Sequence, residues 1–341
     1  MRYFIIRHKL SISVIIFTIL FYLTFLYMDL AQVMFYSCKE GNMFLGIISR
    51  IWIFIVIDMI SLVITIIFLI KYLKEEISYK KWIIMPIVIL FEFLYTFIVS
   101  MYGMVPGFTF YPKTFDDSIL EINNMRLVEV NVGKDKYLSP YYDNGSSKVT
   151  IFFLGNGMPS SMLLNRFYES ELEASERNLL VMDYPMFSLN EGKLNEKTIY
   201  KEVDQYMDFL TKEEGYNYSD IRVCGYSIGT GVACYCAEKY DISELVLFAP
   251  YHKFQAAMNE VINVFHGPLE LAVRFKFNSI SRASNILCPV TIIYSLADSS
   301  IPYTSTELLI NEFKNKTVYK LEKENHIEVL NHSRMVLYCL H

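Results

Sequence analysis

Apolar and polar positions are arranged in two different ways along this chain. Residues 10–28 (LSISVIIFTILFYLTFLYM) form an uncharged run of nineteen, and residues 51–70 and 82–102 form two further apolar runs, each interrupted by a single acid, Asp58 and Glu92. A helix rises 1.5 Å per residue, so about twenty residues cross the ~30 Å hydrocarbon core of a bilayer. The pattern predicts three membrane helices. Trp82 and Tyr102 stand at the two ends of the third run and Tyr72 just past the second, where amphipathic rings favour the headgroup level. Arg2, Arg7 and Lys9 before the first run also resemble the basic region of a cleaved signal peptide, although no A-x-A site follows. Asp58 and Glu92 are expected as protonated acids hydrogen-bonded within the bundle, or as a proton-sharing pair or a contact to a partner helix, because an ionised acid at mid-membrane costs roughly 2.5–3.5 kcal/mol.

From residue 125 the period changes. MRLVEVNV (125–132) and KYLSPYYD (136–143) alternate like neighbouring antiparallel strands, and KVTIFFLG (148–155) is continuously apolar like a buried central strand. Helical stretches then separate further strands. One near 160–175 leads to NLLVMDY (178–184), one near 196–212 to IRVCGY (221–226), and VACYCAEKY to ELVLFAP (244–250). A helical region at about 254–275 precedes VTIIYS (290–295), and TVYKLE (317–322) closes the series. Strands alternating with helices imply right-handed crossovers and a mostly parallel sheet covered on both faces. The expected organisation is a transmembrane region (1–105), a connecting segment (106–124) and an α/β domain (125–341).

Composition sharpens this division. Hydrophobic residues make up 53% of the chain and charged ones 20%, an apolar excess concentrated before residue 103. The formal charge of −5, without a basic stripe, gives no footprint for nucleic acid. Cations flanking the apolar runs set an orientation: Arg2, Arg7 and Lys9 precede the first, Lys71, Lys74, Lys80 and Lys81 fill the second loop, and the first loop holds chiefly Lys39, with Arg50 at its margin. The positive-inside rule then makes the N-terminus cytoplasmic and the α/β domain outer, whether periplasmic, extracellular or lumenal. Six cysteines (Cys38, Cys224, Cys234, Cys236, Cys288, Cys339) lack the paired spacing of zinc or redox motifs and read as buried thiols, so neither metal nor cofactor is expected.

The candidate chemistry centres on IRVCGYSIGTGVA, in which Gly225-Tyr226-Ser227-Ile228-Gly229 lies between an apolar strand and a small-residue helix start. A sharp turn there lifts the serine hydroxyl above the sheet, and the glycines remove side chains that would strike neighbouring backbone. An acid and a histidine are needed later in the chain. VTIIYSLADSSIP supplies Asp298 and KLEKENHIEVL supplies His326, each just past a strand end, where such sheets present their ligands. Ser227 is the candidate nucleophile, His326 its base, and Asp298 the residue that orients the imidazole. Asp183 is a rival acid that precedes the serine and is more readily assigned to its own loop; His252, His332 and His341 are rival histidines. An oxyanion hole would draw on the N–H of Ile228 and on the turn Leu154-Gly155-Asn156-Gly157, with Asn156 the candidate second donor and Gly157 beside it.

With these elements in order, residues 125–335 resemble the membrane-anchored α/β-hydrolase-domain serine hydrolases, a group that includes lysophospholipid lipases and palmitoyl-protein thioesterases. The resemblance rests on LGNG, DYPMFSLNEG, GYSIGTGVA, LADSSIP and ENH. Against the family's usual H-G-N and D-Y-R-G-Y-G-x-S-x-G, Leu154 replaces a histidine, Pro185 an arginine and Met186 a glycine. The resemblance implies the α/β-hydrolase fold behind the three membrane helices, and cleavage of an ester or thioester in a lipid or lipid-modified substrate held near the bilayer. A peptidase of the same fold, or a non-catalytic interaction module, uses the same scaffold.

Overall fold

The computed structural model describes residues 113–341, except Tyr168, Lys193, Ile262 and Val264, together with Val63 and Ile67. The expected membrane segments 10–28, 51–70 and 82–102, with Asp58 and Glu92, otherwise lie outside the described residues. Among the described residues no helix is long and apolar enough to cross a membrane. The chain divides into two units, Met1–Phe108 and Thr109–His341.

Within the second unit, β1 (Met125–Val132), β2 (Asp135–Tyr142), β3 (Val149–Phe153), β4 (Asn178–Met182), β5 (Ile221–Tyr226), β6 (Glu244–Phe248), β7 (Val290–Ser295) and β8 (Lys316–Leu321) form one sheet in the order β1-β2-β4-β3-β5-β6-β7-β8. β1 and β2 make an antiparallel hairpin, β2 pairs antiparallel with β4, and all neighbours from β4 to β8 run parallel. Burial follows position. Every residue of β3, β4 and β7 is buried, whereas β1 alternates and edge strand β8 is largely exposed. Central parallel strands are covered on both faces and need nearly continuous apolar side chains; an edge strand needs fewer.

The helices are α1 (Ser160–Leu164), α2 (Glu169–Glu173), α3 (Glu196–Asp208), α4 (Gly229–Lys239), α5 (Phe254–Val261), α6 (Ser279–Ala283), α7 (Tyr303–Glu312), α8 (His326–Leu330) and α9 (Ser333–Leu340). Asn195 caps α3 through a 3.0 Å bond from the Thr198 N–H, a contact worth about 1 kcal/mol. The expected helix over 160–175 is divided into α1 and α2. That over 254–275 is α5 followed by a 3₁₀ turn, Gly267–Ala272, which begins with Gly267 at φ 57° and Pro268, a residue lacking the N–H that helix continuation requires.

Strand ends also fall short of the apolar runs. β6 stops at Phe248 because Ala249 turns to φ 51° while its N–H bonds the Ile293 carbonyl. The segment before β1 is packed onto the domain: a 3₁₀ turn spans Asp117–Glu121, the Asp116 N–H donates to Ser161 Oγ, and Asn165 Nδ2 donates to Asp116 Oδ2.

Candidate active site

β5 leads directly into the turn Tyr226-Ser227-Ile228 and then α4. Ser227 is 6% exposed and holds φ 53°, a left-handed conformation uncommon for a residue with a side chain. Its N–H bonds the Phe248 carbonyl at 2.9 Å, and its carbonyl accepts from Thr230 Oγ1 at 2.6 Å. The turn requires close approach of backbone to backbone. A Cβ on Gly225 would lie 2.7 Å from the Gly229 carbonyl oxygen, and one on Gly229 would overlap the Phe153 carbonyl. Gly225 therefore lets α4 close on β5, and Gly229 lets it close on the end of β3.

Ser227, His326 and Asp298 come together at one point. His326 Nε2 is 2.9 Å from Ser227 Oγ, and His326 Nδ1 is 2.7 Å from Asp298 Oδ2. Asp298 follows β7, and its other oxygen accepts the N–H groups of Ser300 (2.8 Å) and Ile301 (2.9 Å), so the loop fixes the carboxylate before it meets the imidazole. The Asp298 side chain is only 2% exposed. His326 begins α8, whose first turn is closed by Asn325: Asn325 Oδ1 accepts from Ile327 and Glu328, and Glu328 Oε2 accepts the Asn325 N–H. This reciprocal cap gives the Glu324-Asn325-His326 motif a mechanical reason.

The two expected oxyanion donors flank the serine differently. Ile228 precedes the first residue of α4, and amides at a helix start have no intrahelical acceptor. Asn156 is exposed on the loop after β3, beside Gly157 at φ 64°. That loop lies against Ser227, since a Cβ on Gly155 would sit 3.5 Å from Ser227 Cβ and 2.6 Å from the Tyr226 ring.

Three buried tyrosine hydroxyls hold the loops that meet here, and sequence reasoning missed all three. Tyr184 donates to the Leu154 carbonyl at 2.8 Å, Tyr226 to the His326 carbonyl at 2.9 Å, and Tyr251 to the Ile228 carbonyl at 3.0 Å. Tyr226 ends β5, and Tyr184 and Tyr251 stand two and three residues past β4 and β6, but the acceptor lies on a different segment each time.

The rival residues have other partners. Asp183 is buried, accepts the Ser160 N–H at 2.8 Å and the Ser160 hydroxyl, and through its own carbonyl receives Asn190 Nδ2. Burial pushes its carboxyl up to about 6. It organises the loop after β4, where Met186 takes φ 69° at the position the resembling family fills with glycine. The left-handed conformation is thus kept despite the side chain. His252 Nδ1 pairs with Ser305 Oγ at 2.7 Å, His332 Nδ1 caps α9, and His341 follows the end of α9. Among the described residues no group of three or more His, Cys, Asp and Glu side chains is arranged to hold a metal ion.

No family model matches the chain. The mouse Alpha/beta hydrolase domain-containing protein 17C is 25% identical to it over 160 residues, 47% of this chain and 48% of that protein. The putative alpha/beta hydrolase L404 of Acanthamoeba polyphaga mimivirus is 22% identical over 173 residues, 50% of this chain and 63% of that protein. The chain spans about half the length of the 17C relatives it matches. Among solved structures, an alpha-beta hydrolase from Vibrio vulnificus superposes with a TM-score of 0.56 at 16% identity, covering 72% of this chain and 92% of that one. The Pyrococcus furiosus esterase Pf2001 gives 0.55 at 16% identity, covering 67% and 94%. The domain has the α/β-hydrolase fold.

Proposed function

We propose that this chain is a membrane-tethered serine hydrolase that cleaves an ester or thioester, with Ser227 as nucleophile. The observation that carries the reading is the continuous hydrogen-bonded chain from Ser227 Oγ through the His326 imidazole to Asp298 Oδ2. In this mechanism His326 Nε2 takes the hydroxyl proton as Ser227 Oγ attacks the acyl carbon. Asp298 keeps the proton on Nδ1 and stabilises the imidazolium, which then protonates the leaving alcohol or thiol. Water repeats the sequence on the acyl-enzyme. The oxyanion would be held by the Ile228 N–H and by a donor from the β3 loop, for which Asn156 is the candidate, with the Gly157 N–H next to it.

A lipid or lipid-modified acyl substrate follows from the three apolar runs before residue 103. A tether confines the reacting serine near acyl chains and raises their effective concentration. The bilayer is accordingly the expected partner, and the positive-inside argument assigns the catalytic domain to the outer side.

A fluorophosphonate probe, applied to the detergent-solubilised full chain, tests the reading. Wild type is expected to be labelled and Ser227→Ala to remain unlabelled. An unlabelled wild type would point instead to a non-catalytic module, and equal labelling of the variant would place the nucleophile elsewhere. A panel of acyl lipids, thioesters and peptides then separates esterase from peptidase.

A further inference from the structure

Cys224 lies in β5, three residues before Ser227, and Cys339 lies in α9, more than a hundred positions later. Both thiols are fully buried and reduced. Cys224 Sγ is 3.6 Å from the Tyr338 carbonyl oxygen and so rests against the peptide unit that leads into Cys339. Burial, reinforced by the neighbouring Cys224 thiol, pushes the Cys339 thiol well up. The other side of Cys339 is apolar: its thiol meets Met335 Sδ at 3.5 Å. Arg222 Nη1 donates to the same Tyr338 carbonyl at 3.0 Å, so the approach of α9 to β5 is fixed independently of the cysteines. The two thiols therefore belong to the same contact between β5 and α9, which is the condition that bars most cysteine pairs from bonding when it is not met.

We propose that Cys224 and Cys339 are a disulfide-forming pair that fastens α9 to the strand leading into Ser227 when the chain meets a disulfide oxidant. A thiolate of one cysteine attacks the oxidant's disulfide and releases one small thiol. The second cysteine, losing its proton, then attacks the mixed disulfide at the protein sulfur and releases the other. Two protein S–H bonds become one S–S bond, and the oxidant is reduced to two thiols. Buried thiols resist deprotonation, so the exchange proceeds while α9 is undocked, during folding or on opening of that helix of about two turns. A cross-link closing so long a loop restricts the unfolded chain strongly. It also bounds the segment between β8 and α9 that carries His326. Outer-side residence of the domain would supply the oxidising surroundings in which such bonds persist.

The test uses the solubilised full chain, refolded or gently warmed with oxidised glutathione, denatured in an alkylating reagent without reductant, and digested for mass mapping. The expected result is a linked peptide pair containing Cys224 and Cys339, lighter by two hydrogens than the separate peptides and lost after reduction. Cys339→Ser is expected to abolish the link and leave Cys224 glutathionylated or alkylated. Thermal melting gives a second readout: the oxidised wild type should melt several degrees higher than the reduced form, with no such gap in Cys339→Ser. Alkylation of both cysteines in the oxidised wild type, or a linked form that melts lower than the reduced one, overturns the proposal. Neither readout depends on hydrolytic activity, so the proposal and the assignment of Ser227 can fail separately.

Discussion

His326 Nε2 stands 2.9 Å from Ser227 Oγ across ninety-nine positions of sequence. The contact is made from two sides. Tyr226, the neighbour of Ser227, donates to the His326 carbonyl, and its ring lies 5.0 Å from the imidazole. The nucleophile strand therefore grips the histidine loop through the residue beside the nucleophile, and the imidazole has few alternative positions.

Asp298→Asn is expected to fold normally. An asparagine can keep the two bonds that Asp298 Oδ1 accepts from Ser300 and Ile301, but it would present an amide N–H to His326 Nδ1 in place of an acceptor. The imidazole would be held in the wrong tautomer, which costs about 10⁴ in kcat for comparable triads. Steady-state hydrolysis of a p-nitrophenyl ester checks this. A variant within a few fold of wild type would remove Asp298 from the mechanism.

Gly229→Ala tests the closeness of α4 to β3. The added Cβ would collide with the Phe153 carbonyl, which is backbone and cannot rotate away. Overpacking of this kind costs about 1–3 kcal/mol, and the displaced turn should also lose hydrolytic activity. Urea unfolding and ester hydrolysis measured together would show both losses. Unchanged stability would mean that the turn has more room than its geometry implies.

Glu202 on α3 is fully buried, and neither carboxylate oxygen has a hydrogen-bond partner among the described residues. Burial first, and the Asp183 charge second, raise its pKa well above the ordinary 4.5. The folded chain thus keeps Glu202 protonated where the unfolded chain ionises it. The favourable contribution is complete below about pH 4.5 and is lost as pH rises towards the folded pKa, at up to ~1.4 kcal/mol per pH unit. Glu202→Gln should remove this downward slope, while Asp183, raised to about 6, keeps its own smaller decline in both proteins. Urea denaturation at several pH values from about 5 to about 8 decides the matter; parallel curves for the two proteins would show that Glu202 is not the source.

The cations around the apolar runs predict a cytoplasmic N-terminus and an outer hydrolase domain. A reporter active only in the cytoplasm, fused after His341, is expected to be silent, whereas one active only outside should be bright. The opposite pattern would invert the orientation and remove the oxidising surroundings invoked for Cys224 and Cys339.

The strand series was legible because burial demands it: five-residue runs such as those of β3 and β4 are buried at every position and apolar at four of five when a sheet is covered on both faces, so their place in the sequence declares their place in the sheet. Ser227 was legible because a strand-turn-helix with glycines on either side of the serine leaves a local trace, and Asp298 and His326 because each follows a strand end. Other features leave no local trace. That His326 is reached by Ser227 while His252 turns to Ser305 depends on where loops from different strands converge above the sheet. The tyrosines that hold those loops and the approach of Cys224 to α9 are likewise contacts between distant segments. Amino-acid pattern alone determined the alternation of elements, the candidate triad and the separate character of the first hundred residues. Tertiary structure decided which side chains touch, because hydrogen bonds and thiol contacts are set by distances of a few ångströms that only the packed sheet and its loops define.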